Sequence, residues 1–328
     1  MAAAKRRVVV QGASQMSDVP GLSGLADQAE FTFARTLPEL EAALEGAEIL
    51  LGWDFKAGDV ALAWPHADSL EWIQWGGAGV DALLFPQLAQ SQVRVTNAGG
   101  IFDGPMAEYA LGLILMHAKG MRRSLELQAQ KTWEYRLTTK VRGQQVVIVG
   151  VGRIGREIAR TLRAVGLDIT GVGRSARGGD PDFGEIHGIA DLHSVLPLGD
   201  YVILITPLTE ETADLFGAAE LEAMKPAAYL INLGRGELLD ESALIDALED
   251  KHLSGAALDV FRTEPLPAES PFWGRPDVVV SAHISGDYHG FHTDVANLFI
   301  ENFARFQAGQ PLLCEVDKQL GFVPSAKG

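Results

Sequence analysis

The chain has 328 residues, 47% of them hydrophobic and 21% charged, with 43 acidic residues against 27 basic ones and a net charge of −16. That length exceeds one ordinary domain and suits two, and the composition is that of a soluble globular protein. A surface so acidic disfavours nucleic acid and anionic membranes as partners, because both call for a basic patch. The longest apolar stretch, around Tyr109 to Met116, is too short to span a bilayer. Met1 to Arg7 carries positive charge, but only Val8, Val9 and Val10 follow, which reads as a first strand rather than a leader. The one cysteine, Cys314, excludes an internal disulfide and suits a reducing compartment. A cytoplasmic location is expected.

In chain order, Val8–Gln11 reads as a strand, Leu37–Leu44 as a helix, and Glu48–Gly52, Leu70–Trp75 and Val93–Thr96 as further strands. This βα succession predicts a small parallel-sheet domain. From Met106 to Met121 apolar residues recur at helical spacing, predicting one long helix as a spine between two domains. A second βα series follows. Its strands are Val146–Val149, Ile169–Val172, Tyr201–Ile205, Ala228–Asn232, Gly255–Leu258 and Val278–Ser281, which together predict a doubly wound sheet. Residues 293–308 read as a final helix, and no internal repeat or low-complexity segment interrupts the pattern.

The first strand of the second series runs into Gly150-Val151-Gly152-Arg153-Ile154-Gly155, and a helical pattern follows from Arg156 to Val165. A lone GxGxxG is a weak signal, but between a strand and a helix it predicts a dinucleotide site. The first glycine makes the turn, the second admits the pyrophosphate, the third lets helix and strand pack, and the helix N-terminus supplies amide donors. A plain strand–turn–helix corner is the alternative. A site for NAD places a carboxylate at the end of the next strand to accept the ribose hydroxyls. Here that strand runs into Gly173-Arg174-Ser175-Ala176-Arg177, and two guanidinium groups with a hydroxyl suit a 2′-phosphate. NADP(H) is therefore the expected cofactor, with NAD(H) possible if these arginines are only surface residues or Arg174 merely stacks on adenine.

In such sheets ligands bind at the carboxyl ends of the strands. Arg235 follows the fourth strand of the second series, Glu264 the fifth and His283 the sixth. Each alone has a bland reading as a surface or capping residue, but their common edge makes Arg235, Glu264 and His283 a candidate catalytic set.

At this point the chain resembles the D-isomer-specific 2-hydroxyacid dehydrogenase family, most of all its NADP(H)-using glyoxylate/hydroxypyruvate reductases. The segments that carry the resemblance are Gly76–Asp81, Thr96–Gly100, Ala107–Ala110, Val149–Gly155, Thr206–Thr212, Asn232–Gly236 and Ala256–Phe261. The resemblance implies a Rossmann-type doubly wound sheet over 101–286. It also implies a smaller flavodoxin-like α/β catalytic domain assembled from 1–100 and 287–328, with substrate in the cleft and a homodimer formed through the cofactor domain. It implies that Arg235 binds the keto acid and polarises its carbonyl, that His283 exchanges the proton, and that Glu264 holds the other ring nitrogen and favours the protonated ring. An acidic partner for the histidine speaks against formate dehydrogenase activity, where relatives carry an amide.

By the same resemblance the amides of Ala78 and Gly79 cradle the substrate carboxylate, as a glycine-rich nest can on its own physics; an ordinary turn is the other reading. Thr206 and Pro207 line the adenosine side, Asp259 accepts from the nicotinamide carboxamide, and Thr212, Leu233, Gly234 and Gly286 complete the cofactor set. Many relatives have Pro before the histidine where this chain has Ala282, a change expected to loosen that turn. Trp53, Phe55 and Phe102 either line a pocket for a substrate larger than glyoxylate or are core residues. Tyr288 or His289 is a further candidate contact, and His289 and His292 lack the carboxylate or cysteine spacing of a metal site.

The expected activity is hydride transfer between NADPH and a 2-keto acid such as glyoxylate or hydroxypyruvate. Two alternatives stay open. One is a dehydrogenase of 3-phosphoglycerate, disfavoured because the chain ends near Gly328 without room for an added regulatory domain. The other is a non-catalytic dinucleotide-sensing protein on the same fold, which the intact set of Arg235, Glu264 and His283 disfavours.

Overall fold

The computed structural model describes residues 5–55 and 58–324; Met1–Ala4, at the start of the segment weighed as a leader, lie outside these. The chain divides into two compact units, residues 1–102 with 288–328, and residues 103–287.

The first unit is built on five strands: β1 (Arg6–Gln11), β2 (Ala29–Ala34), β3 (Ile49–Gly52), β4 (Trp72–Trp75) and β5 (Arg94–Thr96). All pair in parallel, in the order β2-β1-β3-β4-β5, which is the flavodoxin-like order. Strands β3 and β4 are buried throughout, and their near-continuous apolar runs are what a parallel sheet covered on both faces requires. Strand β2 is absent from the sequence reading. It sits at the sheet edge and spells Ala-Glu-Phe-Thr-Phe-Ala, only half of it apolar enough to signal burial. The last helix, Phe291–Gln307, returns to this unit. Phe299 stacks on Trp72 at 5.4 Å, and the buried Asn302 donates to Gln74 Oε1 at 3.0 Å.

The second unit contributes eight strands: β6 (Gln145–Val149), β7 (Asp168–Gly173), β8 (Arg177–Asp180), β9 (Gly184–Gly188), β10 (Tyr201–Leu204), β11 (Tyr229–Asn232), β12 (Gly255–Leu258) and β13 (Val278–Val280). Their order is β13-β12-β11-β10-β6-β7-β9-β8. Seven run parallel, and β8 closes the edge antiparallel to β9. The order reverses between β6 and β10, so the glycine loop leaves the sheet at its topological switch point. The β8–β9 hairpin carries four glycines in nine residues, and that low strand propensity hid it from the sequence.

The long helix expected over Met106–Met121 is two helices. The first spans Asp103–Ala118 and the second Met121–Ala129, and they are broken at Gly120, where φ is +55°. The apolar spacing runs on to Met121, which opens the second helix 46% exposed, but the left-handed glycine ends the hydrogen-bond ladder. Among the described residues no helix is long and apolar enough to cross a membrane.

Candidate active site

Strand β6 is buried from Val146 onward, and the chain turns at Gly150, where φ is +123°. A Cβ there would stand 2.6 Å from the carbonyl carbon of Ile205, and one at Gly155 would stand 1.9 Å from the Gly150 oxygen. Both positions therefore exclude any side chain. At Gly152 a Cβ would meet nothing within 4 Å. Its bareness serves no internal packing and instead leaves backbone open to a ligand. Gly152 caps the helix Arg153–Ala164, whose first-turn amides and dipole favour an anion on that side. Arg153 pairs with Asp103 at 3.2 Å, and Ile154 is half-buried.

Thr206 follows β10 beside this loop. Its Oγ1 is buried and, among the described residues, has no hydrogen-bond partner, which is unusual for a buried hydroxyl. Thr212 Oγ1 donates to the Pro207 carbonyl at 2.7 Å and accepts from Thr209 N at 2.8 Å, closing the segment that carries Pro207. A bare glycine cradle, a helix N-terminus and an orphaned hydroxyl together fit a dinucleotide.

Strand β7 ends at Gly173, with no carboxylate there. A Cβ on Gly173 would touch Val151 of the glycine loop at 2.8 Å, with an Arg177 guanidinium nitrogen 3.8 Å away. Arg174, Ser175 and Arg177 are exposed. Asp180, on β8, is committed to Arg156, which grips it with two hydrogen bonds of 2.7 and 2.8 Å and holds its pKa down at about 2. Arg177 lies 3.9 Å from the same carboxylate.

The reactive set gathers at the carboxyl ends of β11, β12 and β13. The fully buried Asn232 donates to the Arg235 carbonyl at 2.9 Å and accepts from Gly234 N at 3.1 Å, fixing the turn Leu233-Gly234-Arg235. Arg235 is half-buried, with one guanidinium nitrogen donating to the Gly234 carbonyl at 2.8 Å. Glu264, followed by a cis bond to Pro265, accepts from Phe261 N at 3.0 Å through Oε1 and meets His283 Nδ1 through Oε2 at 2.8 Å. This contact leaves Nε2 as the ring atom that faces away from the carboxylate.

His283 has φ +52°, a conformation a non-glycine residue holds only when its surroundings impose it. Asp259 imposes it. Its backbone oxygen accepts from His283 N at 2.8 Å, and its carboxylate, 1% exposed, accepts from Ser281 Oγ, Ile284 N and Ser285 N at 2.6–3.0 Å. Gly286 closes the segment. Ala282, expected to slacken the turn, sits within this clasp. Neither Asn232 nor the hold of Asp259 on the histidine turn was read from sequence; a polar residue inside an otherwise apolar strand end was the available signal.

In the other unit, Trp53 follows β3, and Ala78 and Gly79 follow β4, again at carboxyl ends. The carbonyls of Gly77 and Ala78 accept from Ala98 N at 2.9 Å and Asn97 Nδ2 at 2.6 Å. The loop's acceptors are thus tied inward. Among the described residues the amides of Ala78 and Gly79 donate to no carbonyl.

A dinucleotide cradle at the switch point of a doubly wound sheet, with an arginine and a carboxylate-held histidine on the same edge, defines an oxidoreductase. The profile of the D-isomer specific 2-hydroxyacid dehydrogenase NAD binding domain matches residues 111–285. Glyoxylate/hydroxypyruvate reductase B of Citrobacter koseri is 40% identical over 231 residues, covering 68% of this chain and 71% of that protein. A D-isomer specific 2-hydroxyacid dehydrogenase family protein from Aeromonas salmonicida superposes with a TM-score of 0.83 at 32% identity, over 96% of this chain and 100% of that one. The NADPH-dependent glyoxylate/hydroxypyruvate reductase of Sinorhizobium meliloti, solved with NADP and sulfate, does so with a TM-score of 0.83 at 29% identity, over 97% and 100%. The chain belongs to the D-isomer-specific 2-hydroxyacid dehydrogenase family.

Proposed function

We propose that this chain reduces 2-keto acids, glyoxylate and hydroxypyruvate among them, to D-2-hydroxy acids with NADPH. The observation that carries the reading is the 2.8 Å contact between His283 and Glu264, on the same sheet edge as Arg235 and the glycine cradle. When bound, the nicotinamide supplies a hydride to the keto carbon. Arg235 draws the carbonyl oxygen into its field and stabilises the charge that develops there. His283 gives that oxygen a proton from Nε2, and Glu264 stabilises the ring's charged form and its orientation. The amides of Ala78 and Gly79 bind the substrate carboxylate. Asp259 orders the histidine turn with three of its roughly four acceptor sites and keeps one for the carboxamide.

The cofactor set we assign is Gly150, Gly152, Arg153, Ile154, Gly155, Arg174, Ser175, Arg177, Thr206, Pro207, Thr212, Leu233, Gly234, Asp259 and Gly286. Preference for NADPH over NADH rests on Arg174, Ser175 and Arg177 at the end of β7, where no carboxylate stands. The Sinorhizobium reductase, similar over nearly the whole chain, is NADPH-dependent. Arg174→Asp should move the kcat/KM ratio of NADPH to NADH towards NADH by at least about tenfold; an unchanged ratio would refute this assignment.

We further propose a cytoplasmic homodimer. Trp133, Tyr135 and Leu137 are 99%, 86% and 86% exposed on the segment after helix Met121–Ala129. The same unit carries an apolar groove of about 310 Å³ lined by Met121, Leu125, Trp273 and Val279. An apolar groove and three bare apolar side chains on one unit suit an isologous contact with a second copy.

A further inference from the structure

The aromatic residues whose role the sequence left open, Trp53, Phe55, Phe102 and Tyr288, are joined by Phe291 and His292 into one continuous wall in the first unit. Trp53 lies 5.3 Å from the His292 ring, His292 stacks 3.9 Å from Phe291, and Phe291 lies 5.9 Å from Phe102 and 6.2 Å from Tyr288. Phe102 lies 6.4 Å from Phe55. The wall meets the carboxylate cradle directly. A Cβ on Gly77 would stand 2.9 Å from the Phe55 ring and one on Gly76 3.5 Å from it. Phe55 is therefore pressed against the backbone that leads into Ala78 and Gly79. The rings also divide by burial. Phe102 is 5% exposed and belongs to the core, whereas Trp53, Phe55, Tyr288 and Phe291 are half-buried and His292 is exposed. Partly bare rings next to a carboxylate cradle offer a second, apolar subsite.

Glyoxylate, with hydrogen as its side chain, would reach the cradle and leave this surface unused. Tyr288 adds direction. Its hydroxyl donates to Asp294, and burial together with that carboxylate pushes its pKa up to about 12. The phenol stays neutral and tethered, so its ring presents a face rather than a charge.

We propose that the side-chain subsite takes an aromatic or bulky apolar group, so that the preferred substrates are arylpyruvates and related large 2-keto acids. The inference rests on the reductase reading above. Each methylene buried in an apolar pocket is worth on the order of tenfold in kcat/KM, and ring-on-ring contact adds to that.

The test is NADPH oxidation by the wild-type enzyme with glyoxylate, pyruvate and phenylpyruvate. The expected result is a kcat/KM for phenylpyruvate at least about tenfold above that for glyoxylate. Trp53→Leu and Phe291→Leu should each lower the phenylpyruvate-to-glyoxylate ratio by about tenfold, a readout that loss of folded protein would not move. A wild-type preference for glyoxylate, or ratios unchanged in both variants, would overturn the inference and leave the reductase reading standing. Turnover of none of the three acids would overturn the reductase reading itself, and the inference with it.

Discussion

His283 is held from three directions: Glu264 at its Nδ1, the Asp259 carbonyl at its amide, and the Asp259 carboxylate through the residues on either side. The arrangement assigns the two acids different work. Glu264 acts on the ring and Asp259 on the backbone that presents it, so both are positioning residues for the histidine. Glu264→Gln keeps the shape and a hydrogen-bonding oxygen but removes the charge opposite the ring. It should lower kcat by about a hundredfold while the Kd for NADPH stays the same, measured by steady-state kinetics and by quenching of protein fluorescence. A kcat close to wild type would remove Glu264 from the proton path. Arg235, Glu264 and His283, the proposed reactive residues, stood out in the sequence because charged and titratable side chains are uncommon just after buried strands. Asn232 and Asp259 did not show their structural roles, since hydrogen bonds to backbone atoms leave no mark in residue spacing.

Among the elements, the β8–β9 hairpin has the most to explain. It has little strand propensity and sits on the sheet edge, yet it carries Arg177. What fixes it is ionic: Arg156, on the helix that follows the glycine loop, bridges Asp180 and Asp182 at 2.7 and 3.0 Å. The same helix thus follows the glycine loop at its N-terminus and anchors the hairpin that carries Arg177, which we assign to the ribose phosphate. Because Arg156 holds the folded-state pKa of Asp180 at about 2, below its ordinary 3.8, the carboxylate contributes stability that is complete above about pH 4 and is lost as pH falls towards 2. Asp180→Asn should destabilise the protein by about 2 kcal/mol at neutral pH, with the gap to wild type narrowing as the pH of the thermal melts is lowered from 4. A constant gap would show that the charge of Asp180 is not what anchors the hairpin. The buried central strands were legible from their continuous apolar runs. Strand β2 and the β8–β9 hairpin were not, because the polar residues of the one and the glycines of the other interrupt that apolar signal. The helix break at Gly120 was hidden for a different reason: apolar periodicity passes through a break that only a backbone dihedral reveals.

Over the whole molecule, two open sheets each place their candidate site residues at the carboxyl ends of parallel strands, one with the flavodoxin-like order and the other with the doubly wound dinucleotide order. That repetition is why so much of the candidate site could be read from sequence: once strands were assigned, the residues following them were the candidates. The exposed Trp133, Tyr135 and Leu137 belong to this scale, as the surface we propose for a second copy. Wild-type protein should run as a dimer in size-exclusion chromatography with light scattering, and the combined Trp133→Ser, Tyr135→Ser and Leu137→Ser variant as a monomer; a monomeric wild type would refute the homodimer. On the proposed mechanism, this chain moves hydride from NADPH to a 2-keto acid with His283 as the proton donor. The decisive measurement is loss of reduced-nicotinamide absorbance on mixing with 2-keto acids, made on the wild type and on His283→Ala in parallel. In the wild type, NADPH consumption should be matched by D-2-hydroxy acid formation, and the variant should still bind NADPH but turn over at least about a hundredfold more slowly. No NADPH consumption with any 2-keto acid, or undiminished turnover by His283→Ala, would contradict that mechanism.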